Sequence, residues 1–425
     1  MKRVLVITRG AWNNDNNTGN TLSNIFASSS DFEFHNLYLR SEDTGEHNYC
    51  KSIFRITEGQ LLNNILKRRT CGELVNRENN GDRNTREDNA YRLSKRVNFY
   101  TLWWARELLW ILGRWNNDTF KQYVLSVAPD IVFMPVFGCL YPHKILREVH
   151  KLTSAKVVLY HADDNYSLKQ FRFSPAYWLF RFRLRYWVRR SVGIASANYS
   201  ISSLQKEEYQ CSFRKEFRLL QKFYDFSVKP VAKNDRHQPI KMVFSGNISS
   251  GRWRTLAMIG KALDEINGSN GKSMARLEIY TATELTNRMR RAMLCDSIDF
   301  RGFVPSEQIE NIQNGADILV HVESFSLKDK LEVRQSFSTK IVDYLSRVRC
   351  VFAVGPEDVA SIRYLKETDA AYVISSVDEI RDKLEKLLRS ETLIEQYAEK
   401  AWNVGIKNHS LDRRTQFHNE LLMLE

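Results

Sequence analysis

The sequence has no Cys-x-x-Cys pair. Its six cysteines, Cys50, Cys71, Cys139, Cys211, Cys295 and Cys350, are scattered singly. That spacing speaks against a zinc site and against a disulfide framework, and for a reducing compartment. Long apolar runs are absent as well. No segment reaches the roughly 18 uninterrupted apolar residues of a membrane span, so none is expected. The opening "MKRVLVITRG" holds only a short apolar run and reads as a first strand, not as a secretory signal. What is plentiful is core-forming material. Hydrophobic residues make up 43% and aromatics 12% of 425 residues, which excludes a disordered chain and leads us to expect two or three domains.

Positive charge is in excess, and it is unevenly placed. Of the net +13, residues 1–225 carry 34 Lys/Arg against 22 Asp/Glu (+12), and residues 226–425 carry 29 against 28 (+1). A basic half and a neutral half imply different partners for each. Basic surface attracts nucleic acid, anionic lipid or phosphorylated small molecules alike.

Short apolar strands recur along the chain: "RVLVIT" (3–8), "FEFHNLYL" (32–39), "DIVFMPV" (130–136), "KVVLYH" (156–161) and "ANYSIS" (197–202). Helical patterns separate them. Residues 41–90 are polar and charged and read as a long insertion. "FSVKPVAKNDRHQPI" (226–240) has two prolines and no apolar period, the signature of an interdomain linker. The alternation then restarts with "KMVFSG", "ARLEIY", "IDFRGF", "ADILVHV", "CVFAVG" and "AAYVIS". Strands alternating with helices give parallel sheets, and two such runs give two doubly wound α/β domains. The expected boundaries are 1–226, a linker at 227–240, a second domain at 241–400 and a helical segment at 401–425.

In open α/β sheets ligands bind beyond the carboxyl ends of the strands, where helix N-termini favour phosphate. "SFSTKIVDYL" (336–345) lies between two apolar runs. Ser336, Ser338 and Thr339 fit a helix N-cap, which makes Ser338 and Thr339 candidate diphosphate contacts beside the cation of Lys340. Asp343, one turn in, is placed to accept from ribose hydroxyls. An ordinary capped helix with a solvated lysine and aspartate fits the same pattern. "SGNISSGRWRTL" (245–256) is not Gly-x-Gly-x-x-Gly, but Gly246 follows a strand and Arg252 and Arg254 open a helix. Cations there oppose the helix dipole, so a shared anion explains them better than helix stability does. "TGN", with Gly19 and Asn20, repeats the theme after the first strand. "YHADD" (160–164) ends a strand with His161, a candidate catalytic residue that could orient a sugar hydroxyl or assist proton transfer, or else a structural histidine; the adjacent Asp163 and Asp164 are poorly spaced for a metal cage.

Two segments account for the basic half. "LKQFRFSPAYWLFRFRLRYWVRRSV" (168–192) has seven Lys/Arg and eight aromatics. Arg181, Arg185 and Arg189 fall on one helical stripe, and Trp178, Phe182 and Tyr186 on another. "SKRVNFYTLWWARELLWILGRW" (94–115) adds Trp103, Trp104 and Trp110. Such helices suit an anionic membrane interface, or else a core-facing aromatic stripe with arginines in solvent. Nucleic acid is not expected, because its stacking platforms usually sit on open sheets or loops.

Together, "SGN…R" after the linker and "ADILV…S-x-STKIxDYL…VFAVGP" resemble the large family of retaining GT-B glycosyltransferases that carry an E-x7-E signature. Many members read "S-x-P-x-K-L-x-E-Y-M" here. Lys340 matches the family lysine, and Asp343 stands at the acid that meets the donor ribose. The other acid of the signature falls on Gln335, so the full pattern is not present, and Glu323 in "HVESFS" is the candidate for the missing carboxylate.

The resemblance implies a GT-B fold, two Rossmann-like domains facing across a cleft, with the acceptor on the N-terminal domain and the nucleotide-sugar on the C-terminal one. It places Arg252 or Arg254 at the diphosphate, Gly19 and Asn20 on the N-domain side, and His161 near the donor sugar. It implies no metal and no cofactor beyond the nucleotide-sugar co-substrate. A glycan or lipid-linked acceptor at the cytoplasmic face of a membrane, as in cell-surface polysaccharide synthesis, suits the basic aromatic helices. A nucleotide-sugar epimerase of the same fold and a non-catalytic GT-B-like partner protein are the alternatives.

Overall fold

The computed structural model describes residues 1–13, 16–27, 29–42, 49–75, 100–231, 236–269, 271 and 273–424. An eight-stranded sheet is built from β1 (Lys2–Thr8), β2 (Phe32–Tyr38), β3 (Ser52–Arg55), β4 (Glu73–Leu74), β5 (Ile131–Pro135), β6 (Lys156–His161), β7 (Ala195–Ser200) and β8 (Arg218–Leu219). Its order is β4-β3-β2-β1-β5-β6-β7-β8, parallel except for the β3–β4 pair. A six-stranded, wholly parallel sheet follows: β9 (Ile240–Ser245), β10 (Ala275–Tyr280), β11 (Ile298–Gly302), β12 (Ile318–Val322), β13 (Cys350–Val354) and β14 (Tyr372–Ile374), in the order β11-β10-β9-β12-β13-β14.

The central strands are apolar on both faces because helices cover both faces. Val4 and Val6 enter one core with Phe133 and Val158, while Leu5 and Ile7 enter another with Val132 and Leu159. The first core does not stop at the domain edge. It continues through Phe417 and Leu421 to Val243, Leu319 and Val351 of the second sheet. The helix Leu411–Leu422 makes this join. Phe417 packs against Tyr199 and Phe26, with ring centroids 5.1 and 5.9 Å apart, and His418 lies 2.8 Å from the Ile25 carbonyl.

One expectation is corrected. Part of the 41–90 stretch read as an insertion belongs to the sheet: β3 pairs with β2, and β4 with β3. The helix Glu58–Lys67 between them starts with a capping box, Thr57 and Gln60 bonding reciprocally. Strands this short leave no alternation to read. The stretch "NRENNGDRNTREDNA" (76–90) lies outside the described residues.

Candidate functional site

The strand order places the sites. In each sheet the first strand lies where the order reverses, between β2 and β5 for β1, and between β10 and β12 for β9. Such reversals open a crevice at the carboxyl ends of the strands. In the second sheet the segments leaving β9 and β12 carry Gly246, Arg252 and Glu323. In the first, those leaving β1 and β5 carry Arg9, Gly10 and Val136, which line a cavity of about 460 Å³ together with Asn17, Thr18 and Asp163.

The helix Lys340–Leu345 is short, and its apolar face fixes it. Ile341, Val342, Tyr344 and Leu345 are buried, and the Tyr344 hydroxyl lies 3.2 Å from both the amide nitrogen and the hydroxyl of Ser245, at the end of β9. This anchor brings Lys340 against Gly246. A Cβ on Gly246, whose φ is +152°, would lie 1.7 Å from the Lys340 ammonium nitrogen. Gly246→Ala therefore both strains the backbone and displaces the cation. Its expected result is an affinity for nucleoside diphosphates lowered about tenfold or more, read by titration calorimetry. Unchanged affinity would remove Gly246 and Lys340 from the anion site.

Lys340 shares this corner with Arg252. Burial first, and the Arg252 charge second, pull the Lys340 pKa down to about 8. Two cations held this close are set for an anion. Arg252 is itself braced: its Nε and Nη2 donate to the two oxygens of Glu323, each at 3.0 Å. Glu323 is only 2% exposed, and Ser361 adds a hydroxyl donor at 3.4 Å. Read from the sequence as the missing sugar-binding acid, Glu323 turns both its oxygens to Arg252 and holds that cation in place.

His321, two residues earlier on β12, is held neutral at a pKa of about 3 by burial and by the charges of Arg252 and Lys340. Arg254 points elsewhere, paired with Asp329 at 2.5 Å and lying over the Trp253 ring.

Other expected residues are placed as follows. Ser338 and Thr339 do not cap the helix. Thr339 is already helical and makes no side-chain cap bond, and only the two carbonyls are used, by Ile341 and Val342. Among the described residues both hydroxyls make no hydrogen bond, and the side chains are half-buried. Asp343 forms an ion pair with Lys222, which arrives from the chain following β8. Gln335 is buried, donates from its side-chain amide to Glu208, and accepts the Ser202 hydroxyl on its carbonyl. Arg334 meets the same Glu208 through two bonds of 2.7 and 2.6 Å. Glu208, Lys222 and His321 went unnoticed in the sequence; a histidine two residues before Glu323 at a strand end was the one available signal.

On the N-domain side three expectations are corrected. Gly19 and Asn20 do not line the cavity: the helix Asn17–Phe26 presents Asn17, Thr18, Thr21 and Leu22 to it instead. Gly19 is needed for close packing, as a Cβ there would sit 1.7 Å from the Asn13 carbonyl oxygen. His161 is fully buried edge-on to Tyr209 and away from the cleft, its pKa pushed down to about 3 by burial. Asp163 is the cleft residue instead, accepting from the Ser336 hydroxyl at 3.4 Å.

The arginine stripe turns inward at its first residue only, with Arg185 half-buried and Arg189 exposed. Arg181 is buried in an ion pair with Asp164 at 3.0 Å, Arg185 lies over the Tyr166 ring, and Arg189 reaches the Tyr166 hydroxyl. Trp104 packs on Phe180 and donates to the Ala176 carbonyl. The aromatic stripe faces out, with Phe182 at 55% and Tyr186 at 53% exposure, beside exposed Leu179 and Trp103.

Among the described residues no cluster of three His, Cys, Asp or Glu is arranged to hold a metal ion, and no helix is long and apolar enough to cross a membrane.

Solved structures share this architecture along the whole chain. HepE from Anabaena, in complex with UDP and glucose, is 11% identical with a TM-score of 0.64, over 99% of each chain. The sucrose-phosphate synthase of Thermosynechococcus elongatus is 11% identical with a TM-score of 0.65, over 100% of each. A TarM variant from S. aureus, in complex with fondaparinux, alpha-GlcNAc-glycerol and UDP, is 12% identical with a TM-score of 0.61, over 100% of each. No family model matches the sequence, and no curated protein does. The chain has the GT-B fold that these structures share.

Proposed function

We propose that the chain is a glycosyltransferase that moves a sugar from a nucleoside-diphosphate-sugar to a glycan or lipid-linked acceptor with retention of configuration. The observation that carries this reading is the pair Lys340–Arg252, one cation buried and the other braced by Glu323 at the crevice of the second sheet, beside the glycine that makes room for the first. The structures of HepE with UDP and with UDP-glucose support a nucleotide-sugar as the ligand of this fold.

In the transfer an acceptor hydroxyl oxygen bonds the anomeric carbon, its proton passes to the released diphosphate or to water, the sugar–phosphate bond breaks and the diphosphate leaves with the electron pair. Charge therefore grows on the phosphate oxygen, where Lys340 and Arg252 are fixed in advance. Preorganised charge of this kind acts chiefly on the transition state. These two cations take the part a divalent ion plays elsewhere, and the reading is metal-independent for that reason. Asp163 and the 460 Å³ cavity face the donor loop and make up the acceptor side.

The test is direct. With a panel of nucleotide-sugars and EDTA present, one donor base should give nucleoside diphosphate release, and product NMR should show retained anomeric configuration. Absence of binding to every nucleoside diphosphate would end the reading. Turnover of donor to an isomeric nucleotide-sugar without acceptor would make the protein an epimerase.

The acceptor side also carries a surface. Leu179, Phe182 and Tyr186 project from the helix Pro175–Ile194, with exposed Arg183 and Arg190 beside them. An apolar stripe flanked by cations suits an anionic lipid surface. Peripheral attachment at the cytoplasmic face of a membrane is thus part of the proposal. Phe182→Ser with Tyr186→Ser is expected to lose cosedimentation with phosphatidylglycerol vesicles while the melting temperature is kept. Equal sedimentation of variant and wild type would refute it.

A further inference from the structure

A second cavity, of about 730 Å³, contains neither the cations of the first site nor any residue of the 460 Å³ cavity. Three parts of the chain wall it: Tyr199 and Arg218 from the first sheet, Phe337 and Tyr364 from the second domain, and Arg413 and Phe417 from the C-terminal helices. Its charges do not cancel. Lys206, Arg218 and Arg413 face Glu216 and Glu420, three cations to two anions. Arg218 meets both acids, at 2.9 and 3.2 Å, and Glu420 also accepts the Tyr199 hydroxyl at 2.7 Å. Arg413 spends its bonds on a neutral carbonyl and on Gln416. The Lys206 ammonium makes no hydrogen bond or ion pair among the described residues. Two cations therefore lack a carboxylate at hydrogen-bonding distance. Between them stand four side-chain amides, those of Gln210, Gln221, Asn408 and Gln416, and aromatic rings that include Phe223 and Phe417.

We propose that this cavity binds an anionic saccharide, a sugar bearing one phosphate or carboxylate. The excess cation takes the anionic group, the amides take hydroxyls, and the half-buried Tyr364 is the ring left to meet the apolar face of the sugar. The occupant touches the donor loop from outside the donor site. Phe337 lies within that loop and lines the cavity, and Ser202, also in the wall, donates to the Gln335 carbonyl at 2.6 Å. An occupant that bridges both domains also holds them in this arrangement.

Binding alone tests the proposal, so its fate is separate from that of the donor assignment. Titration calorimetry would use glucose 6-phosphate, glucuronate, glucose and inorganic phosphate on the full chain. One anionic sugar should bind with a Kd of about 1 mM or tighter. Lys206→Glu and Arg413→Glu should each weaken it about tenfold or more, without changing nucleoside diphosphate affinity or the melting temperature. Binding of neither anionic sugar overturns the proposal. Inorganic phosphate binding as tightly as glucose 6-phosphate overturns the saccharide assignment, and glucose binding as tightly overturns the anionic one. Competition by nucleoside diphosphate, with Lys206→Glu inert, would move the ligand to the donor cleft and overturn the site.

Discussion

With Lys340→Met, nucleoside diphosphate affinity at pH 7 is expected to fall by about a hundredfold, while the unliganded protein melts at the same temperature or higher. Methionine keeps the length of the side chain and removes the charge. Losing one partner of a desolvated charge contact costs about 2–5 kcal/mol, and about 1.4 kcal/mol is tenfold in affinity. The stability gain follows from the same burial. The fold holds the Lys340 pKa at about 8, below its ordinary 10.5. Its charged form is therefore penalised in the fold below pH 8, and the penalty is released as pH rises from about 8 to 10.5.

Two pH trends follow. Wild-type affinity for nucleoside diphosphate should decline above pH 8, where Lys340 sheds its proton and the ligand phosphate stays charged. Unliganded wild type should gain stability over the same window relative to the variant. Calorimetry at pH 7 and pH 9 measures the first trend, and melting scans measure the second. Equal affinity of variant and wild type at pH 7 would take Lys340 out of the site.

Lys340 could be found in the sequence because its surroundings are local. "ADILVHV" and "CVFAVG" are apolar throughout, as strands covered on both faces must be, and the segment between them has to cross the carboxyl edge of the sheet. Pairings across the chain have no such signature. Asp343 meets Lys222 from 121 residues away, and Arg334 meets Glu208 from 126. Nothing in the local pattern around Asp343 points to Lys222 as its partner.

Periodicity fails in another way at Arg181, Arg185 and Arg189. It finds a stripe correctly and cannot say which side is core. The buried Asp164 decides that, accepting from Arg181 and from the amides of Tyr166 and Ser167. His161 is the strand-end counterpart: alternation puts it on one of two faces, and Tyr209 and Phe217 enclose it on the inner one.

Glu323→Ala should be the most destabilising change at the site. The carboxylate is almost fully enclosed, and its loss leaves Arg252 partly buried with no bidentate partner. Removing one member of a buried pair costs about 3–5 kcal/mol. Arg252 retains some access to water, at 22% side-chain exposure, which favours the lower end. At about 2–4 °C per kcal/mol for a domain of this size, the C-terminal domain should melt roughly 6–12 °C lower. Nucleoside diphosphate affinity should fall as well, because an unbraced Arg252 loses its fixed aim.

Glu323→Gln separates bracing from sugar contact. Its amide still accepts one bond from Arg252, so a brace predicts intermediate losses in melting temperature and nucleotide affinity together. A carboxylate that acted on the sugar would instead lose turnover while stability and nucleoside diphosphate binding stayed at wild-type values. A double-mutant cycle with Arg252→Met sharpens the distinction. A brace requires Glu323→Ala to have little further effect on nucleotide affinity once Arg252 is gone. If the two losses simply add, Glu323 acts on the ligand by another route, and the positioning role fails.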